Sequence, residues 1–228
     1  MKHTPYFNLV DAFKEEGCPI CYLMKKSVHQ SMDTFLYENV NDPGMRKDIR
    51  SALGFCNKHA WQLRQFGDGF GLSLIYQDLI GIFLEKIVTI DDNAVTEKTI
   101  KKMLNTADIR RLKKIGDNCD FCKRQKEVEG HYIAELLGNF NEPELQVVFG
   151  TSFGLCFSHM LIAIDKSKDA QISRDILKTE SGKFKKLSEE LKEFERKHDY
   201  RFSKEGFGKE GNAWIRAIEK MIGKEGIY

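Results

Sequence analysis

Cys18-Pro-Ile-Cys21 and Cys56-Asn-Lys-His59 are matched later in the chain by Cys119-Asp-Phe-Cys122 and Cys156-Phe-Ser-His159. Thirty-four residues separate Cys21 from Cys56, and 33 separate Cys122 from Cys156, so the spacing repeats to within one residue. These motifs use all six cysteines of the chain. Paired Cys-x2-Cys and Cys-x2-His spacings point to metal ligation, and two matched sets specify two sites of three thiolates and one imidazole.

A tetrahedral ion such as zinc takes four soft or borderline ligands at about 2.0–2.3 Å, and Cys3His is one of its recurrent structural sets. The expected ligands are Cys18, Cys21, Cys56 and His59 for one Zn2+, and Cys119, Cys122, Cys156 and His159 for a second. Histidine in the fourth place favours zinc. The rival is a pair of 4Fe-4S clusters, for which all-cysteine sets are the usual precedent. A redox dithiol would also use a Cys-x2-Cys turn, but the chain offers no βαβ context and supplies the matching Cys and His.

The segments between the motifs read as helices. Leu9, Val10 and Phe13 recur at helical spacing from Tyr6 to Glu16, and Gly17 stands where a left-handed terminator belongs. Pro19 suits the first position of a helix that Cys18 would cap. Asp42 is a good cap and Pro43 a good first residue for the next one, which Gly54 ends before Cys56 opens another. Gly67, Gly69 and Gly71 read as a turn. The stretch from Leu72 to Ile87 is apolar over most of its circumference, which predicts a central buried helix.

Asp91 to Thr96 reads as a polar linker, followed by a lysine-rich helical stretch. The second motif set then replays the first, with Asn139-Phe-Asn-Glu-Pro143 matching Asn39-Val-Asn-Asp-Pro43 and Gly154 matching Gly54. Breakers and caps repeat along with ligands, as duplication of a helical unit requires. The expected architecture is all-α: residues 1–95 form a first metal-binding repeat and 96–197 a second, each stapled by its own Cys3His site. Residues 198–228 form a tail whose short helix, carrying Trp214, Ile218 and Met221, packs on the core. Phe184, Leu187, Leu191 and Phe194 place a long helix before it.

Composition bounds the function classes. The chain has 228 residues, 41% apolar and 31% charged, and 36 basic residues against 34 acidic leave a net charge of +2. That places it among ordinary globular proteins and argues against nucleic acid as the partner. Basic runs such as Arg110-Arg-Leu-Lys-Lys114 read as solvated helix faces. The N-terminus shows no signal peptide, and no apolar run reaches the roughly 20 residues that span a membrane, so a cytoplasmic protein is expected.

No phosphate-binding glycine loop, Gly-x-Ser-x-Gly elbow or His-Glu-x-x-His helix is present, so no reaction type can be assigned. His198, Asp199 and Arg201 are the best candidates for a polar site beyond metal, with anchoring of the tail as the plainer use. His29 and His131 occupy nearly equivalent places in the two repeats, where a histidine can support a metal ligand or simply sit on a helix surface.

Gly17-Cys-Pro-Ile-Cys21, Asn41-Asp-Pro43, Gly54-Phe-Cys-Asn-Lys-His59-Ala-Trp61 and Lys197-His-Asp-Tyr-Arg-Phe202 together resemble an uncharacterised prokaryotic family, a domain of unknown function. The resemblance covers nearly the whole chain. It implies a bacterial or archaeal cytoplasmic protein with paired metal motifs, and it supplies no activity. The second Cys pair departs from the pattern in lacking the proline. The expectation is a binding or scaffold module with a protein partner. An electron-transfer or redox-sensing protein is the second reading, and an enzyme working near residues 198–201 the third.

Overall fold

The computed structural model describes residues 3–87, 118–202 and 204–227. The expected 91–96 linker, the basic stretch through Arg110–Lys114 and the 95/96 boundary lie outside the described residues. Among those described there are ten α-helices and no strand. They are α1 (Thr4–Ala12), α2 (Pro19–Thr34), α3 (Pro43–Ala52), α4 (Asn57–Arg64), α5 (Gly69–Ile87), α6 (Asp120–Gly138), α7 (Pro143–Thr151), α8 (Phe157–Lys166), α9 (Ala170–His198) and α10 (Ala213–Ile222). A π turn, Phe35–Asn39, extends α2, and two 3-10 turns, Tyr200–Phe202 and Lys209–Asn212, precede α10. None of the described helices is long and apolar enough to cross a membrane.

Local chemistry explains the boundaries. The Asp42 carboxylate accepts the Met45 N–H at 2.7 Å, capping α3 with Pro43 in its first turn. The end of α3 is unusual, because Leu53 itself is left-handed (φ 58°), ahead of Gly54 at φ 97°. The chain then extends to Cys56, whose ψ of 161° makes it the N-cap of α4. Cys156 caps α8 in the same conformation, with ψ 164°. Proline proves unnecessary at the second Cys pair: the Lys123 N–H bonds the Cys119 carbonyl at 3.1 Å, as the Tyr22 N–H bonds that of Cys18 at 3.0 Å.

The chain forms two compact units, and they are not the segments expected from the repeat. One comprises Met1–Lys26 with Glu127–Tyr228, the other Ser27–Lys126. The division falls inside α2 and α6, so each repeat contributes to both units. The first unit packs Tyr6, Leu9, Phe13, Leu136, Leu145, Phe149, Leu155 and Ile176 around its core. The second packs Val28, Met32, Phe35, Ile49, Phe55, Leu63, Ile75 and Phe121.

Four further expectations are corrected. α1 stops at Ala12, not Glu16. Gly69 and Gly71 lie inside α5 and only Gly67 is left-handed, because one positive φ suffices to turn the chain. α5 is not buried all round: Ile75 faces the core, whereas Phe70, Tyr76, Ile80 and Leu84 are exposed. α10 lies against α9, but Trp214, Ile218 and Met221 point outward and Lys220 is buried beneath it.

Candidate metal centres

All eight expected ligands come together in fours, but across the repeats. The first centre gathers Cys18, Cys21, Cys156 and His159, and the second Cys56, His59, Cys119 and Cys122. Each Cys-Cys motif thus meets the Cys-His motif of the other repeat. The course of the long helices supplies the reason. α2 and its π extension run for about 30 Å at 1.5 Å per residue and pass from the unit that holds Cys18 into the unit that holds Cys56, so the two halves of one repeat end in different units. α6 likewise passes from the unit of Cys122 into that of Cys156.

Each centre lies at the start of two helices, α2 and α8 for the first, α4 and α6 for the second. The positive ends of two helix dipoles therefore face each set of sulfurs. His159 Nδ1 lies 3.4 Å from Cys18 Sγ, 3.4 Å from Cys21 Sγ and 3.1 Å from Cys156 Sγ. Cys21 and Cys156 Sγ are 3.9 Å apart. In the second centre His59 Nδ1 lies 3.2 Å from Cys56, 3.5 Å from Cys119 and 3.3 Å from Cys122, and the Cys56 and Cys122 sulfurs are 3.5 Å apart. A tetrahedral ion with zinc-like bond lengths spaces sulfurs by about 3.8 Å and sulfur from nitrogen by about 3.6 Å. The donor sets fit one such ion each.

The surroundings differ. The first centre is wholly buried, and His159 Nε2 lies 3.0 Å from Glu129 Oε1. That contact puts the imidazole proton on Nε2, where it donates to the carboxylate and leaves Nδ1 free to ligate. In the second centre Cys56 and Cys122 are partly exposed. Nε2 of the buried His59 has no protein hydrogen-bond partner among the described residues, and the Gln125 Oε1 nearby accepts from Lys58 Nζ at 2.9 Å. Phe121, between the two cysteines, stacks on Phe55 at 5.2 Å and meets His59 edge-on at 5.8 Å.

These environments set the acidities apart. Burial pushes the Cys18 thiol far up, whereas hydrogen bonds from Cys18 and Cys21 pull Cys156 well below the usual thiol range. Burial works against charge on His159, but Cys156, Cys21 and Glu129 outweigh it and raise its value to about 11. In the second centre burial, reinforced by the Lys58 charge, lowers His59 to about 4, against a pull upward from Gln125. Burial raises Cys122 to about 12 and also raises Cys119, which the backbone N–H groups of Cys56, Cys122 and Phe121 partly offset.

A buried ion pair positions the loop that delivers Cys156. Glu180 of α9 accepts the Leu155 N–H at 2.8 Å and the Lys220 ammonium at 2.6 Å. Lys220 also donates to the Phe153 carbonyl at 2.9 Å, and Lys183 donates to that of Phe149. Gly154, at φ 79°, lies so close to Glu180 that a Cβ there would collide with the carboxylate. Sequence reasoning missed Glu129, Glu180 and Lys220. The one signal was that Glu129 follows Cys122 by seven residues on a helix, so it faces one way with the motif's second turn.

The remaining candidates lie apart. His29 and His131 are exposed, against Phe66 and Tyr132 respectively. Asp199 and Arg201 pair with each other at 2.6 Å, and Asp199 also accepts the Arg201 N–H at 3.0 Å. His198 turns back to the Phe194 carbonyl at 2.9 Å and makes tilted ring contacts with Phe194 and Phe207. The cluster does not converge on a common point.

The model of a family of unknown function (DUF6062) matches residues 1–226. The chain is 28% identical over 221 residues to the "Uncharacterized 23.9 kDa protein in xynA 3'region" of Caldicellulosiruptor sp. (strain Rt8B.4), an alignment covering 95% of this chain and all of that one. No solved structure matches.

Proposed function

Because the chain belongs to that family of unknown function, no relative lends it an activity, and we propose from the geometry that it is a zinc-stapled helical binding protein. Each centre takes one Zn2+ as a closed Cys3His site. The observation that carries this reading is the 3.1–3.9 Å spacing of sulfur and nitrogen in both donor sets. Four protein donors leave no position for water or substrate, as a catalytic zinc would keep, so the ions serve the fold. In a 4Fe-4S cluster each ligand binds a different iron, and the donors must spread around the cluster. Sulfurs in mutual contact favour a single ion.

Such a protein works in the reducing cytosol, where six thiols stay available for metal, and it acts as a scaffold for a protein partner. The test is elemental analysis with an absorption spectrum, on protein purified without oxygen, added metal or a histidine tag. The expected result is about two zinc per chain and no visible absorbance. About eight iron and a broad band near about 400 nm would overturn it in favour of electron transfer.

A further inference from the structure

α10 is inverted. Ala213 and Lys220 are buried on its inner side, whereas Trp214, Ile215, Ile218, Met221 and Ile222 on its outer side are 46–64% exposed. A surface helix ordinarily turns its apolar stripe to the core. Here the inner side is committed to polar work: Lys220 holds Phe153 and Glu180, and Arg216 reaches Glu190 at 2.6 Å and the Lys209 carbonyl at 2.8 Å. The apolar side is left to face outward, with no charged residue in the stripe. It offers on the order of 500 Å² of apolar surface, towards the upper end of the largest patch on a typical monomer, where such patches are often functional.

We propose that this stripe is the twofold interface of a homodimer, in which α10 packs antiparallel against α10 of a second protomer with the axis at Ile218. The stripe is symmetric about that residue: Ile215 and Met221 lie three positions to either side, Trp214 and Ile222 four. In an antiparallel pair on a twofold axis, a residue before the centre meets the one equally far after it. Ile218 then meets its own counterpart, Ile215 meets Met221, and Trp214 meets Ile222. Every apolar side chain gains an apolar partner and none meets a charge. Two stripes together remove on the order of 1,000 Å² from water, about the least that a biological interface buries.

The test is sedimentation equilibrium of the full chain, wild type and variants, over a wide concentration range. The wild type is expected to be a dimer. Ile215→Lys or Met221→Glu, each burying an unpaired charge, should weaken it about 100-fold or more while helical signal and metal content stay unchanged. Mixing the two variants should restore a mixed dimer, because the introduced ammonium then faces the introduced carboxylate. A monomeric wild type overturns the proposal, and flotation of that monomer with phosphatidylglycerol vesicles would assign the stripe to lipid. A dimer that neither substitution disturbs overturns it too.

Discussion

Cys21 and Cys156 bring their sulfurs to 3.9 Å of one another from 135 residues apart in the chain. Every half-site in the protein closes on a partner from the other repeat. An ion in either centre therefore ties the two repeats together, and neither repeat carries a complete site of its own.

Metal counts on paired substitutions should reveal this crossing. Cys21→Ala with Cys156→Ala disables one centre and should leave about one zinc per chain, whereas Cys21→Ala with Cys56→Ala disables both and should leave none. Pairing within repeats would reverse the two counts.

The centres should release metal in order. The second, with partly exposed Cys56 and Cys122 and no carboxylate on His59, should yield to a chelator first, and the buried first centre later. Glu129→Gln should weaken the first centre by about 10–100-fold and draw the two phases together. Competition with a colorimetric zinc chelator reads both phases. Removing both ions under reducing conditions should abolish the cooperative thermal transition seen by circular dichroism.

The loop before Cys156 should be intolerant of change. Gly154→Ala sets a side chain at positive φ against Glu180, and Glu180→Gln leaves the buried Lys220 without its counter-charge. Loss of one member of a buried pair costs about 3–5 kcal/mol, so both variants should melt well below the wild type. Gly54→Ala meets Leu79 at 3.0 Å in place of a carboxylate and should cost less than Gly154→Ala. Urea titration of the zinc-loaded proteins compares the three.

Lys183 should titrate near pH 8. Burial lowers it to about 8, the neighbouring Lys220 charge adds to that, and Glu180 acts in the opposite direction. Its folded value lies below that of the unfolded chain, so the charged form costs stability at every pH below about 8. The cost fades as pH rises from there towards about 10.4. Amine acylation read by mass spectrometry should show Lys183 reacting well ahead of the exposed lysines at pH 8, and equal rates would refute the assignment.

Helical class and the identity of the donors were legible because both are local. Capping by Asp42, a proline at the first turn and ligands three residues apart act within one or two turns of chain, so Cys18, Cys21, Cys56, His59 and their later counterparts declared themselves. The carboxylate on His159 was not legible, since Glu129 reaches it from 30 residues away only once α6 and α8 are packed.

What the sequence determined alone is an all-helical chain with two complete donor sets, because ligand chemistry and helix termini are fixed by neighbours in the chain. Which half-site meets which was decided by tertiary structure. Nearly equal spacings of 34 and 33 residues suggested closure within each repeat, but spacing counts residues and not distance. α2 passes from the unit that holds Cys18 into the one that holds Cys56, so each Cys pair closes with the histidine motif of the other repeat. The outward face of α10 was decided in the same way. Its pattern is amphipathic either way round, and only the buried contacts of Lys220 with Glu180 and Phe153 settle which side turns in.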